Sequence, residues 1–99
     1  MRRGTTPTHT FEIPFDVSLV SKAMVIYSQN DKELFCKETS DCNMSGNIIS
    51  VTLTQEETLK LDCRRLVEIQ LRILTVTGEA LASEVMLFNV GKCLNNEVI

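Results

Sequence analysis

Tryptophan is absent from the chain, histidine occurs once, and no apolar stretch comes near the ~20 residues that a membrane-spanning helix requires. The first absence removes the buried indole that antibody-type domains pack against their inter-sheet disulfide, so any immunoglobulin likeness is one of architecture only. The second leaves His9, between Thr8 and Thr10, as the one imidazole able to move protons near neutral pH. No local motif joins it to a nucleophile, so His9 reads as a surface or edge residue and no enzyme activity is expected. The third argues against an integral membrane protein. Glycines are few and isolated (Gly4, Gly46, Gly78, Gly91), which leaves no phosphate-cradling loop. A positive excess is missing too: 13 acidic against 10 basic residues give a net charge of −3, whereas nucleic-acid binders need a positive field to displace counterions.

What is present suits an ordinary globular protein, 43% hydrophobic and 23% charged over 99 residues. Scaling laws for a chain of this mass give about 5,700 Å² of folded surface against roughly 16,000 Å² unfolded, so a core forms without staples. Residues 1–99 are read as a single domain. The opening Met1-Arg2-Arg3 is followed by polar residues rather than an apolar segment, so it reads as a solvated arm, and a cytoplasmic site of synthesis is expected. The tail Asn95–Ile99 is expected to fray. Four cysteines, Cys36, Cys42, Cys63 and Cys93, invite a disulfide or zinc reading. Their spacing favours neither, since zinc knuckles bring ligands two to four residues apart. Reduced thiols are expected, with a disulfide and a metal site as the alternatives.

Period-two alternation dominates the chain. Phe11, Ile13 and Phe15 oppose Thr10, Glu12 and Pro14, and Pro14 restricts that strand to an edge or a strand end. Residues 16–20 read as a connecting turn. Lys22–Gln29 is a nearly continuous apolar run suited to a central strand, and Glu33–Thr39 returns beside it after the Asn30-Asp31 turn. Asp41–Asn47 carries the densest turn chemistry. Ile49, Val51 and Leu53 alternate with Ser50 and Thr52, and Thr54–Glu57 then fits a capping box opening one helical turn. The clearest strand is Leu66–Thr75, where Val67, Ile69, Leu71 and Ile73 share a face. Thr77-Gly78 turns the chain into a last strand within Glu79–Val90, of which Ala80–Ser83 also suits a helix. About seven short strands with at most one short helical turn is the profile of an all-β, immunoglobulin-like antiparallel β-sandwich.

Candidate chemistry is sparse. Glu56 and Glu57 are adjacent carboxylates, but on a capping turn such residues favour the helix N-terminus rather than acid–base work. Asp41, Asn43, Ser45 and Asn47 alternate faintly like a calcium loop, but Cys42 and Met44 interrupt them and no bidentate glutamate follows. Phe11, Phe15, Tyr27, Phe35 and Phe88 are spread over different strands, as core residues are. Phe35 opposes Leu34 and Cys36, and Leu74 and Val76 cannot point inward together with Ile73; these leave Phe35, Leu74 and Val76 as the candidate partner surface.

The segments Arg2–Thr8, Thr10–Asp16, Leu53–Leu59 and Val67–Arg72 together resemble small prophage proteins of Gram-positive gut bacteria. More distantly, the chain resembles the N-terminal immunoglobulin-like domain of siphophage baseplate upper proteins. There an R-G-x-x opening leads to a threonine-led turn before a strand, and to a strand-Gly-strand close like Arg72–Gly78. The resemblance implies a non-catalytic phage structural or assembly protein of tail or baseplate type. Its expected partners are other virion proteins or a second copy, with no nucleic acid, membrane, cofactor, metal or small-molecule substrate. No catalytic residues come with it. This chain stops after the first domain of the baseplate pattern, so no receptor-binding-protein anchor is expected. The alternative is a carbohydrate-binding or cell-surface adhesion module, which normally stacks a loop aromatic on a sugar ring; a cysteine-based metal or redox protein is a third and weaker reading.

Overall fold

Alternating side chains give strands wherever one face can be buried, and in the computed structural model, which describes residues 1–99, eight strands form. These are β1 (Thr8–Glu12), β2 (Val20–Gln29), β3 (Lys32–Lys37), β4 (Cys42–Ser45), β5 (Ile48–Thr52), β6 (Val67–Thr75), β7 (Ala80–Ala82) and β8 (Met86–Phe88), with a short helix α1 (Gln55–Leu59) before β6. All pairings between these strands are antiparallel. One sheet has the order β1-β5-β4; the other runs β3-β2-β6-β7, with β8 also paired to β6. The apolar positions of both sheets meet in one core. Phe11, Ile49 and Val51 come from the first sheet and Val25, Tyr27, Val67, Ile69, Leu71 and Ile73 from the second, closed by Ile13, Leu53, Leu61 and Val90.

This is an all-β sandwich with immunoglobulin-like strand order. If β1 is strand B, then β1-β5-β4 is the B-E-D sheet and β3-β2-β6 with β7 and β8 is the C′-C-F-G sheet of a variable-type domain. The chain crosses between sheets after β1, β3 and β5, makes hairpins at β2–β3, β4–β5 and β6–β7, and continues from β7 into β8 along the same side of β6. Two of those hairpins are two-residue turns of the kind whose twist suits the flanking strands. Asn30 and Asp31 both adopt positive φ (53° and 60°) between Gln29 and Lys32. Gly46, at φ 60°, opens the turn joining Ser45 to Ile48.

Several expectations need correction. Asp41–Asn47 is not one loop: Cys42–Ser45 forms β4, with Cys42 and Met44 half-buried and Asn43 and Ser45 exposed. Pairing with β5 outweighs the local turn preference there, and the alternation that hinted at a cation loop is simply strand periodicity. The last strand is split at Ser83, whose N–H still donates to Leu71 O (2.8 Å) but whose hydroxyl takes the Leu71 N–H (3.0 Å) in place of its carbonyl, and the register slips by one between β7 and β8. Beyond the expected helical turn at α1 there are two single 3-10 turns, Val17–Leu19 and Thr39–Asp41. Local caps make them: Asp16 accepts the Ser18 N–H, and Asp41 Oδ2 accepts the Glu38 N–H (3.0 Å). Nor is the basic N-terminus a solvated arm. Arg2 pairs in parallel with Gly91, its guanidinium donates to Lys92 O (2.6 Å), and half-buried Arg3 donates to Leu59 O (2.8 Å). The tail expected to fray docks instead, with the backbone of Ile99 and the side-chain amide of Gln55 exchanging two hydrogen bonds of 2.8 Å.

The expected capping box is formed. Thr54 Oγ1 accepts the Glu57 N–H (3.2 Å), and Glu57 Oε1 accepts the Thr54 N–H (2.9 Å). Buried Thr58 then donates its hydroxyl to Thr5 O (2.9 Å), tying α1 to the N-terminal residues. Thr54→Ala is expected to cost about 1 kcal/mol, the usual cost of losing such a cap, read as a melting temperature lower by about 4–8 °C. An unchanged melting curve would show that α1 does not depend on its cap.

Buried Gln29 closes the far end of β2: its Nε2 donates to Asp62 O (2.8 Å) and Arg65 O (3.1 Å) while its Oε1 accepts the Asp62 N–H (2.8 Å). Every polar atom of that amide is satisfied, as burial demands. The folded surface of 6243 Å² exceeds the scaling expectation of about 5,700 Å². The shape, 46 × 27 × 17 Å, explains part of the excess.

Candidate docking surface

Phe35, Leu74 and Val76 lie on two different faces. Phe35 is registered with Tyr27 and points into the sandwich, its ring stacked on the tyrosine at 4.7 Å and 20°. Leu74 is registered with Lys22 on the outer face of the larger sheet and is 38% exposed. Val76 follows β6, 58% exposed, with its N–H donated to Leu19 O (2.9 Å). The slip in the β2–β3 ladder between Tyr27 and Ser28 sets which β3 side chains turn inward. Leu74 and Val76 therefore stand apart from Phe35. Leu74 instead shares a shallow hollow of about 490 Å³ with Met24, Ala80, Lys22, Arg72 and Glu38.

The larger feature is a seam of about 600 Å³ between the two sheets, lined on one side by Phe11, Ile13 and Phe15 and on the other by Leu71, Ile73, Leu81 and Met86. It runs between two strand edges that pair on one side only, β1 and β7. Hydrogen bonds fix which backbone groups face it. Leu53 N–H donates to Pro7 O (2.9 Å) and Ile13 N–H to Asn47 O (2.9 Å), so the odd-numbered residues of β1 bond to β5. By ladder alternation Thr8, Thr10 and Glu12 direct their N–H and C=O groups to the open side. On β7, Thr75 N–H donates to Glu79 O (2.9 Å) and Ser83 N–H to Leu71 O (2.8 Å), which leaves Ala80 and Ala82 facing outward in the same way.

In a full A-B-E-D sheet another strand lies outside B. Here the residues before β1 run instead toward Gly91: Arg3 N–H donates to Gly91 O (3.1 Å) and Gly91 N–H to Met1 O (2.6 Å). Next to Thr10 on β1, the His9 ring stacks on Phe88 (6.0 Å, 22°) and its Nδ1 lies 2.7 Å from the Tyr27 hydroxyl. Burial, with a smaller contribution from the N-terminal charge, lowers the His9 pKa and favours its neutral form. Glu12 and Glu84 stand on the rim, and neither belongs to an ion pair.

No family model, curated protein or solved structure matches the chain. Its chemistry is thus read from its own side chains. Burial first, then the neighbouring carboxylates, pushes the Cys36 and Cys42 thiols above their ordinary pKa, the reverse of what a nucleophilic thiolate needs. All four cysteines are free thiols. Hydrogen bonds from Arg64 hold the Asp62 carboxyl down to about 2, which fixes the turn before β6. Glu56 is exposed while Glu57 is engaged in the cap, so the two adjacent carboxylates do not converge. No helix is long and apolar enough to cross a membrane.

The edge position of β1 was signalled by Pro14. The opposite wall was not foreseen, because Leu81 and Met86 looked like consecutive parts of one strand. Its only clue was the polar pair Ser83-Glu84 interrupting that run.

Proposed function

We propose that this chain is a non-catalytic docking module of a phage or prophage particle, of tail or baseplate type, that joins other proteins through strand edges and an apolar surface. The observation that carries the docking reading is the seam: two unpaired strand edges flank an apolar cleft, a combination that monomers normally cover or blunt with charge. The virion context is supported by the sequence resemblance in Arg2–Thr8, Thr10–Asp16, Leu53–Leu59 and Val67–Arg72. The raised thiol pKa values of Cys36 and Cys42, and the engagement of His9 with Tyr27 and Phe88, favour a role without bond-making chemistry. Sugar binding is the weaker alternative, because Tyr27 is fully buried and Phe35 lies stacked beneath it rather than on a loop.

The test is co-sedimentation. In particles induced from the bacterium that encodes it, the tagged protein is expected to band with virions through a density gradient at a fixed copy number. A protein left wholly in the soluble fraction sinks the virion reading.

A further inference from the structure

We infer that the seam beside β1 accepts one extended segment of a partner protein, added as a strand along Thr8–Glu12, with apolar side chains at alternate positions and lysine or arginine between them. This rests on the docking reading and names the occupant of that site. The geometry supplies both halves of strand-addition recognition, backbone bonding for affinity and side-chain pockets for selectivity. Thr8, Thr10 and Glu12 offer unpaired backbone donors and acceptors over five residues of strand, about 17 Å at the ordinary rise. A strand placed there turns every second side chain into the cleft between Phe11, Ile13 and Phe15 on one wall and Leu71, Ile73, Leu81 and Met86 on the other. Apolar residues at those alternate positions cover surface that is otherwise left to water.

Charge selects the rest of the segment. No lysine or arginine lines the seam, while Glu12 and Glu84 both do, without ionic partners. Glu12 is met only by the Asn47 amide at 3.4 Å. A second copy of this chain, with net charge −3, brings two more glutamates to the same rim and is disfavoured. A segment with basic residues on its outward face is favoured.

The probe is a fluorescein-labelled seven-residue peptide alternating valine or isoleucine with lysine, titrated against the full chain by anisotropy, with backbone amide exchange followed by NMR. Binding is expected to slow exchange at Thr10 and Glu12. N-methylating the peptide on its bonding edge removes two or three backbone hydrogen bonds and is expected to weaken binding about tenfold or more. Glutamate in place of lysine is expected to weaken it about fivefold, an effect that fades with salt. Thr10→Pro removes only an N–H that faces the open side, so its fold, checked by circular dichroism, should persist while peptide binding is lost. Glu12→Lys should narrow or reverse the preference for the lysine peptide, which keeps the charge claim testable even if Thr10→Pro misfolds.

Absence of binding, binding without protection of Thr10 and Glu12, or equal binding of the N-methylated peptide each overturns the proposal. Dimerisation that Thr10→Pro abolishes overturns it in favour of a second copy. Carrying Thr10→Pro into the particle experiment separates the two readings. Wild type and variant banding equally with virions removes the seam and leaves the docking module; a wild-type chain that protects β1 on the peptide but never bands removes the virion role and leaves the seam.

Discussion

Replacing Tyr27 with alanine is expected to cost about 3–5 kcal/mol, the range for deleting a buried aromatic from a packed core. Tyr27 is fully buried, registered with Ile69 on β6 and stacked on Phe35 of β3, so its loss opens a cavity touching three adjacent strands. It also removes the hydroxyl 2.7 Å from His9 Nδ1, a contact that ties β1 of one sheet to β2 of the other. Domains of this size keep only about 5–15 kcal/mol in total, so the melting temperature should fall by about 15 °C or more. Urea titration should show a lower midpoint at unchanged slope. A variant melting within a few degrees of wild type would contradict the inward placement of this ring.

Tyr27→Phe separates the two contributions, keeping the ring and losing only the hydrogen bond, for about 1 kcal/mol. Burial, then the charges of Glu57 and Cys42, pushes the Tyr27 phenol well above its ordinary pKa. Because the folded state disfavours the phenolate, this contribution is whole below the unfolded value of about 10 and is lost as pH rises beyond it. The alkaline fall in stability should therefore shrink in Tyr27→Phe.

How far the fold was legible follows from which forces were local. Val67, Ile69, Leu71 and Ile73 alternate without interruption, and β6 emerged as expected because an α-helix would scatter those side chains around its circumference. Thr54 and Glu57 are three residues apart and needed no tertiary partner to form their reciprocal cap. β4 was missed because Asn43, Ser45 and Gly46 prefer turns, and only the pairing of Asn43 with Ser50 and Met44 with Ile49 makes them a strand edge and a tight turn. Phe35 was expected beside Leu74 and Val76 because the ladder slip at Tyr27 and Ser28 leaves no mark in the sequence. The seam was half legible. Pro14 announced an edge, but the meeting of β1 with β7 depends on which strands share a sheet, and periodicity says nothing of that.

Lys37 provides the second large effect, since it is a cation at an inward-facing strand position. It is registered with Val25 at the end of β3, and its Nζ lies 2.8 Å from Glu57 Oε1 with side chains 9% and 19% exposed. The pair thus fastens the larger sheet to the capped turn that carries the chain from β5 to β6. Lys37→Met leaves the glutamate largely buried without its cation and is expected to cost about 3 kcal/mol at pH 7, the lower end for breaking a buried pair. Lys37→Met with Glu57→Gln should recover part of that loss, because no bare charge remains, although the amide serves the Thr54 cap less well.

The pH dependence tests the same contact with the opposite sign. In the wild type, burial alone pushes the Glu57 carboxyl up, but hydrogen bonds from Lys37 and Thr54 and the lysine charge outweigh it and leave the pKa lowered. A lowered folded pKa gives stability that is present above the unfolded value of about 4.3 and is lost as pH falls through the folded one. Without Lys37 only the Thr54 hydrogen bonds oppose burial, so the folded state's preference for the ionised acid weakens and acidification costs the variant less than it costs the wild type. The stability gap between wild type and Lys37→Met, about 3 kcal/mol at pH 7, should therefore narrow as the pH falls to 4, measured by urea unfolding at both values. A gap that stays constant across that range would mean that the lysine contributes by packing its stem and not by its charge.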